Sequence, residues 1–401
     1  MRFAYLVAVV GALLLAGACT TSRPGYCQSD SECSSGQHCQ LGSGVDKLMC
    51  VPTADAGGLD GGGDALDSGG GCQSSQQCPS SAPICSSGVC TACGAAAPGA
   101  CSLRDSAHPV CAVDGTCVQC TVNSDCSSDP TKPICETSTN TCGACATDAQ
   151  CAAKGVGPGV CMAHQDGRCA TDAETAYVQF VGACSTAPNG GDGSSANPFC
   201  SLGSAILNLP TSAKLILVIG AVGGSGTAIQ TSGAGAQLSI IGQASAKVIS
   251  LPGAPVPNLI IQGASVYLRG LTISGSGDIG LSVSTGAMIE LDTVTFDSNS
   301  KGGLLIDSSG FDIRNSTFTN NGPGDSMGAG WGGIRVQGTT PVTKTLEDDT
   351  ISMNKQIGLS CAWAVTGTGV YASGNTGGID VSSSCAVTTC PTLTTGCGAA
   401  P

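Results

Sequence analysis

Four segments in the second half of the chain repeat one pattern of apolar and small residues. They read LRGLTISGSGDIGLSV, LDTVTFDSNSKGGLLI, IRNSTFTNNGPG…WGGIRV and LEDDTISMNKQIGLSC, and successive copies lie 22 or 23 residues apart where no insertion intervenes. A unit this short cannot bury a core of its own, whereas stacked units bury a continuous one. The repeat therefore predicts a solenoid of stacked coils, each holding several short strands.

Aligned copies place matching residues in columns. The apolar columns are Leu268, Leu291, Ile313 and Leu346, then Ile273, Phe296, Phe318 and Ile351, then Leu281, Leu304 and Leu359, and the polar column is Ser276, Asn299, Asn321 and Asn354. Coils should rise by about 4.8 Å, the spacing of paired strands. We expect the inward asparagines to form a hydrogen-bonded ladder and Phe296 to stack on Phe318.

This repeat resembles the parallel β-helix of the pectate-lyase-like superfamily. The resemblance implies an all-β fold, a right-handed parallel β-helix with capping ends over 175–401. The segment DGSSANPFCSLGSAI, residues 192–206, resembles the start of such domains, where a short helix caps the open core. We expect a disulfide between Cys184 and Cys200 to hold this cap. Four further cysteines would secure the other end, with a buried thiol at Cys361 as the alternative: Cys361, Cys385, Cys390 and Cys397.

The first half of the chain is rich in cysteine. Twenty of the 27 cysteines form five units of four, at Cys27-33-39-50, Cys72-78-85-90, Cys93-101-111-117, Cys120-126-135-142 and Cys145-151-161-169. So many cysteines indicate an oxidising compartment and disulfides, although CTAC, CVQC and CGAC allow a zinc reading. The pairing stays open, since four cysteines permit three connectivities. CQSDSECSSGQHC resembles the cysteine-rich modules of Dickkopf-type and EGF-like extracellular proteins, which implies a binding or spacer role.

The domain plan follows from these patterns. One cysteine-rich unit occupies 27–50, a Gly/Asp-rich flexible linker 51–71, and four further units 72–169. The N-terminus adds an apolar stretch from Phe3 to Ala18, a signal peptide over 1–18.

The sequence Ala16-Gly17-Ala18-Cys19 resembles a bacterial lipobox. The resemblance implies lipidation at Cys19 and a short tether over 19–26, with ordinary secretion as the alternative. Without Cys19 the remaining 26 of the 27 cysteines can all pair. By the sorting habit of such lipoproteins, Thr20 in place of Asp suggests the outer membrane of a Gram-negative cell.

The net charge of the chain indicates which classes of macromolecule it is expected to bind. The net charge is −13, from 15 Lys and Arg against 28 Asp and Glu. An acidic surface repels phosphate backbones, so nucleic acid is excluded as an expected partner.

Enzymes of the pectate-lyase-like superfamily cleave polysaccharides, so we sought a catalytic site. All three histidines lie in the cysteine-rich half, at His38, His108 and His164. Outward columns are Tyr267, Glu290, Asp312 and Thr345, and Arg269, Asp292, Arg314 and Glu347. One hypothesis is a calcium site at Glu290 and Asp312 beside Asp292, with Arg314 as base or substrate clamp. The alternative is a solvated face of paired charges.

Two tryptophans near successive turns, Trp331 and Trp363, are candidate glycan contacts, because exposed tryptophans stack on sugar rings. Packing over the edge of the core is the alternative. The sequence thus favours a non-catalytic, lipid-anchored surface protein, structural or adhesive, that binds a polysaccharide or a surface protein. The second hypothesis is a calcium-dependent polysaccharide lyase or another carbohydrate-active β-helix enzyme. We expect no catalytic residue, no resident metal and no cofactor other than, under the second hypothesis, calcium.

Overall fold

The computed structural model describes residues 37–41, 48–52, 71–94, 99–155, 157–180, 191–209, 212–230, 237–250, 255–323, 330–339, 341, 343–376 and 378–390. The signal peptide, Cys19, Cys184 and Cys397 lie outside these residues. The chain divides into two compact units, 1–70 and 71–401. In the first unit, strands β1 (Gln37–Leu41) and β2 (Leu48–Pro52) form an antiparallel hairpin that places Cys39 opposite Cys50.

The second unit begins with the four cysteine-rich modules of residues 72–169, which we call the array. Its elements are β3 (Ile84–Ser86), β4 (Val89–Thr91), α1 (Ala100–Arg104), β5 (Val110–Cys111), β6 (Cys117–Val118), β7 (Ile134–Glu136), β8 (Thr141–Gly143), α2 (Asp148–Lys154) and the 3₁₀ helices Ser75–Gln77 and Asn123–Ser127.

All four modules of the array share one disulfide pattern, in which the first cysteine pairs with the third and the second with the fourth. The bridges are Cys72–Cys85, Cys78–Cys90, Cys93–Cys111, Cys101–Cys117, Cys120–Cys135, Cys126–Cys142, Cys145–Cys161 and Cys151–Cys169. The disulfide prediction is confirmed, and the pairing left open by the sequence is settled. Each disulfide closes a loop whose length corresponds, in the chain-entropy account, to about 3 kcal/mol of stabilisation. This contribution offsets the small hydrophobic core of each module.

A polar side chain three residues before the second cysteine completes the module. In three modules its oxygen accepts the backbone N–H of the third cysteine, at Ser75 (3.1 Å), Asn123 (2.9 Å) and Asp148 (2.8 Å). The residue directly before the second cysteine caps the turn: Asp125 and Gln150 each accept two backbone N–H groups. The short spacing between the first two cysteines therefore encodes a capped helical turn.

The rest of the second unit is a parallel β-helix. Its elements are a 3₁₀ turn (Asp172–Glu174), β9 (Thr175–Gln179), α3 (Leu202–Leu207), β10 (Leu215–Gly223), β11 (Thr227–Gln230), β12 (Leu238–Ile249), β13 (Leu259–Gln262), β14 (Ser265–Arg269), β15 (Thr272–Ser274), β16 (Ile279–Ser284), β17 (Met288–Asp292), β18 (Thr295–Asp297), β19 (Gly302–Asp307), β20 (Gly310–Arg314), β21 (Thr317–Thr319), β22 (Trp331–Gln337), β23 (Lys344–Glu347), β24 (Thr350–Ser352), β25 (Ile357–Cys361), β26 (Thr366–Ser373) and β27 (Ala386–Thr389).

Three faces wrap the core of the β-helix. Face A runs through β9, the first halves of β10 and β12, then β14, β17, β20, β23 and the start of β26. Face B runs through the second halves of β10 and β12, then β15, β18, β21, β24 and the end of β26. Face C comprises β11, β13, β16, β19, β22 and β25. Corners in β10 and β12 coincide with positive φ at Gly220 and Ser245, where the chain turns from face A to face B.

The predicted columns are confirmed by strand register. Leu268, Leu291, Ile313 and Leu346 lie on successive coils of face A, and Ile273, Phe296, Phe318 and Ile351 on face B. The rings of Phe296 and Phe318 stack with centroids 4.8 Å apart and planes 5° from parallel. This distance equals the coil rise, so side chains stack along the axis as the strands do.

The inward polar column forms the predicted ladder. The Asn321 side chain donates to the Phe296 carbonyl at 2.9 Å, and its Oδ1 accepts the Asn299 backbone N–H at 3.1 Å. Asn354 repeats both bonds one coil later, and Asn375 extends the ladder beyond the predicted members. Asn299, Asn321 and Asn354 are fully buried. Because an unpaired buried amide is costly, this column fixes one register of the coils.

The two ends of the β-helix carry helix and disulfide caps. Helix α3 covers the N-terminal end with Leu202 and Ala205, and its N-cap Ser201 accepts the Ser204 backbone N–H at 3.0 Å. Cys200 is disulfide-bonded, whereas its predicted partner Cys184 lies outside the described residues. At the other end Cys361 pairs with Cys385, so the alternative of a free buried thiol at Cys361 is wrong.

We expect Asn321→Ala to destabilise the fold by about 3 kcal/mol or more, because it leaves several buried backbone and amide groups without partners. The matched control is Asn320→Gly. The Asn320 side chain is exposed and donates to Asp297 at 2.9 Å, and its positive φ suits glycine. That control should stay within about 1 kcal/mol of wild type in urea unfolding. Equal losses in the two variants would contradict a structural role for the ladder.

A second expected outcome concerns Asp349, which is fully buried and accepts the Ser316 backbone N–H at 2.8 Å. Burial raises the pKa of this carboxyl well above its ordinary value. Its stabilising contribution is therefore complete in acid and is lost as the pH rises through the folded-state pKa. Wild type should lose stability relative to Asp349→Asn as the pH rises above about 4, the ordinary pKa of an aspartate in the unfolded chain. Asp348→Asn, at the adjacent turn residue, should retain the loss of stability with rising pH in the same unfolding measurements, because burial is the largest cause of the raised pKa of Asp349.

Candidate functional site

Face A brings the candidate charges together in the predicted order. Its first outward column runs through Tyr267, Glu290, Asp312 and Thr345, and its second through Arg269, Asp292, Arg314 and Glu347. Glu290 and Asp312 are thus direct neighbours on adjacent coils. Two carboxylates at this spacing repel unless a cation or a donor neutralises them.

Arg314 supplies that cation. Its Nε and Nη2 donate to the two oxygens of Asp312 at 3.1 and 2.6 Å, and its Nε lies 3.5 Å from Glu347. The hydrogen bond to Asp312 is the first cause that raises the pKa of Arg314. Thr345 also donates to Asp312, at 2.7 Å. The residues that bind the Asp312 carboxylate, Arg314 and Thr345, therefore both lie on face A.

The other two candidate carboxylates have separate partners. Gln237 donates its side-chain N–H to Glu290 at 3.0 Å, and the Tyr267 hydroxyl donates to Asp292 at 3.3 Å. Within the described residues, His, Cys, Asp and Glu ligand atoms converge in groups of three or more only among array cysteines. Those cysteines form disulfides, so they offer no thiolate for a metal. The calcium site at Glu290, Asp292 and Asp312 stays a prediction, without a three-carboxylate cluster to support it.

Arg269 pairs with a residue outside face A, in contrast to the ladder of alternating charges along face A that the sequence predicts. Its Nη2 donates to both oxygens of Asp148 at 2.7 and 2.8 Å, and Asp148 lies in α2 of the last array module. The same carboxylate accepts the backbone N–H of Cys161 inside its module. Arg269 therefore joins the array to face A, a contact that sequence analysis missed.

An apolar cluster lies beside this ion pair. Val160, Met162 and Ala170 of the last module pack against outward residues of the first coils, and the outward residues are Tyr177, Leu215, Leu217, Ile241 and Tyr267. We call this contact the junction. Its signal in the sequence is the unbroken apolar run Leu215–Ile219 of β10, since a strand that is apolar at every position is buried on both sides.

His164 contacts the junction through Tyr267 and is itself partly buried. Its ring stacks on Tyr267 with centroids 3.7 Å apart, and its Nε2 lies 2.7 Å from the Ser239 hydroxyl. Burial, and then the charge of Arg269, lower the pKa of His164 to about 4. A neutral imidazole that stacks on Tyr267 and contacts Ser239 fits a packing role. Of the other histidines, His108 bonds the exposed Asp105, and the side chain of His38 is outside the described residues.

The two tryptophans differ in exposure. Trp331 is 2% exposed and lies over Gly302, where an added Cβ would come within 2.2 Å of its ring. This burial fits the core-packing alternative, and we do not propose Trp331 as a glycan contact. Trp363 is half-buried, donates Nε1–H to the Gly338 carbonyl at 3.1 Å, and has the Lys344 ammonium 5.3 Å from its ring centroid. Part of its ring thus remains open to a ligand.

Two family models match the chain, one over the array and the other over the β-helix. Residues 258–395 match the family model of the right handed beta helix region. Residues 60–173 match a family of unknown function, DUF8331, a range that covers the array and ends just before β9. No curated protein and no solved structure gives a significant match. The predicted fold class, with its right-handed parallel β-helix, is confirmed.

Arg314 offers a test of the charge arrangement on face A. Replacing it by Met should lower the free energy of unfolding by less than about 1 kcal/mol, because the side chain is 55% exposed. Adding Glu290→Gln to Arg314→Met should recover most of that loss, since it removes the repulsion with Asp312. A double-mutant cycle in urea measures this coupling, which should fade at about 1 M salt.

A double carboxylate variant of face A tests calcium binding. If Glu290 and Asp312 bind it, added calcium should raise the wild-type unfolding midpoint, and Glu290→Gln/Asp312→Asn should abolish the rise. We expect the midpoint of wild type to stay unchanged in calcium. A calcium-specific shift absent with magnesium would restore the site and the enzymatic hypothesis.

Proposed function

We propose that the chain is a non-catalytic, exported, lipid-anchored cell-surface protein that presents the β-helix to a glycan or a protein partner. In this proposal Cys19 carries the lipid in the outer membrane of a Gram-negative cell. The array then acts as a covalently reinforced spacer between the membrane and the β-helix.

The observation that carries the proposal is the way in which the array ends on the β-helix. The last module is fixed by the apolar junction, the stacked pair His164–Tyr267 and the ion pair Arg269–Asp148. Earlier modules are joined by linkers of only two residues and by contacts such as Arg104 to the Ser75 and Cys78 carbonyls. A spacer that holds its terminal domain in one orientation suits presentation to a partner.

The charged face favours a non-catalytic role. Asp312 is bound by Arg314 and Thr345, and Asp292 by Tyr267, so neither carboxylate is presented as a free base to a substrate. A general acid or base must lie within hydrogen-bond reach of a substrate proton and have a pKa suited to the transfer. Among the described residues of face A, we identify no such arrangement.

The anchoring part is tested by expressing the full chain in a Gram-negative host and comparing wild type with Cys19→Ser. Wild type should incorporate labelled palmitate and sediment with outer membranes, whereas Cys19→Ser should be exported without lipid. Ser22→Ala, a nearby substitution outside the lipobox, is the matched control. A wild-type chain that remains unlipidated and soluble would contradict the anchor.

Partner binding is tested with the full chain, oxidised and released in detergent, on neutral and acidic polysaccharides with and without calcium. Binding without chain cleavage, weakened by Trp363→Ala, is the expected result for a glycan-presenting role. Lys355→Ala provides a distant surface control. Cleavage of any polymer would contradict the non-catalytic proposal.

A further inference from the structure

The junction combines an apolar contact with a titratable group, His164, that stacks on one of its residues. Met162 is fully buried there, and His164 lies between Tyr267 and the loop of its own module. The loop that carries Met162 and His164 runs from Cys161 to Cys169, and disulfides to Cys145 and Cys151 hold its two ends. The last module can therefore keep its internal structure whether or not it remains seated on face A.

The polar surroundings of His164 favour the neutral ring. Its Nε2 contacts Ser239, whose hydroxyl also accepts from Gln165 at 3.2 Å, while Nδ1 is buried without a hydrogen-bond partner. When the imidazole is neutral and carries its proton on Nε2, Nδ1 is a hydrogen-bond acceptor, and this acceptor is the one ring nitrogen without a partner. A second proton would place a charged donor at Nδ1, where no acceptor lies in reach within the described residues.

Each charged group around His164 is already engaged. Arg269 adds positive charge and is held by Asp148, while Asp166, in the same loop as His164, pairs with Arg168 at 2.9 Å. Arg168 also pairs with Glu174, and Glu290 is occupied by Gln237. Tyr267, beneath the ring, stays neutral because burial raises its pKa. None of these groups is free to neutralise an imidazolium inside the closed junction.

We propose that the junction is an acid-sensitive latch, in which protonation of His164 releases the last array module from face A while both partners stay folded. The released imidazolium gains hydration, and the array then pivots about the short segment between Cys169 and Thr175. Mild acid thus converts a fixed spacer into a hinged one. This inference depends on the junction alone and not on the anchor or the ligand.

Linkage gives the size and sign of the effect. The closed junction holds His164 at a pKa of about 4, against an ordinary value of 6.5. Opening binds a proton between these values, so the closed state loses stability as the pH falls below about 6.5. The opening equilibrium should rise about 30-fold between about pH 7.5 and pH 5.

Oxidation of Met162 by hydrogen peroxide reports the opening, since the fully buried thioether reacts only when exposed. Met353 is 60% exposed and serves as the internal reference within the same chain. Peptide mass spectrometry gives the ratio of the two rates of sulfoxide formation. We expect this ratio to rise about 30-fold in wild type between about pH 7.5 and pH 5, with unchanged circular dichroism.

Three variants make the test specific. His164→Gln should remove the pH dependence, and His108→Gln, at an exposed histidine of the array, should retain it. Asp148→Asn should raise the Met162 ratio at both pH values, because an amide keeps the bond to Cys161, as Asn123 does to Cys135, but loses the charge that holds Arg269.

A wild-type ratio that does not change with pH would overturn the latch. So would a rise that persists in His164→Gln, or one that coincides with loss of the circular dichroism signal, because the whole fold would then have opened. The His108→Gln variant must follow wild type for the assignment to His164 to stand.

Discussion

Stacking of parallel coils is the interaction on which the whole second unit depends. Each strand within the stack, apart from those at its ends, pairs with the coil before and the coil after it, so its backbone groups are satisfied only within the stack. Inside the stack, one asparagine per coil bonds both to the next asparagine and to the coil before it. The register of every strand is thereby shared along the axis, and side chains on the outer faces acquire fixed neighbours.

Because the strands share one register, the outward apolar residues of the first coils form a continuous surface that needs a covering element. The outward residues of the first coils are apolar at Leu215, Leu217 and Ile241, and the column of Leu217 and Ile241 becomes charged from Arg269 onward. The boundary coincides with the edge of the last array module, where Arg269 meets Asp148. Apolar coils without a cover would expose a continuous sheet face to water. The array therefore completes the fold of the β-helix as well as preceding it in the chain.

The sequence predicted the later coils well and the junction not at all, and the reason is physical. From Leu268 to Cys361, the same order of apolar residues and an inward Ser or Asn repeat in each coil on both sides of one insertion, so alignment alone gave the columns that the strand register confirms. The earlier coils contain a corner at Gly220 and a register shift in β10, which break the period. Arg269 and Asp148 are 121 residues apart, and His164 and Ser239 are 75 apart. Contacts of that separation leave no local pattern to read, although the apolar run of β10 indicates that some cover exists.

The chemistry of the junction differs from that of the core in a way that bears on its dynamics. Inside the β-helix, burial of Leu and Phe columns is cooperative, since removing one coil exposes its neighbours on both sides. At the junction, a few apolar contacts are combined with one half-exposed ion pair and one histidine, an arrangement in which polar groups recover water when they separate. Asp148 is already bonded within its own module, and the two disulfides of that module survive separation. These contacts are the reason that we expect the boundary between the array and the β-helix to open more readily than the core of the β-helix.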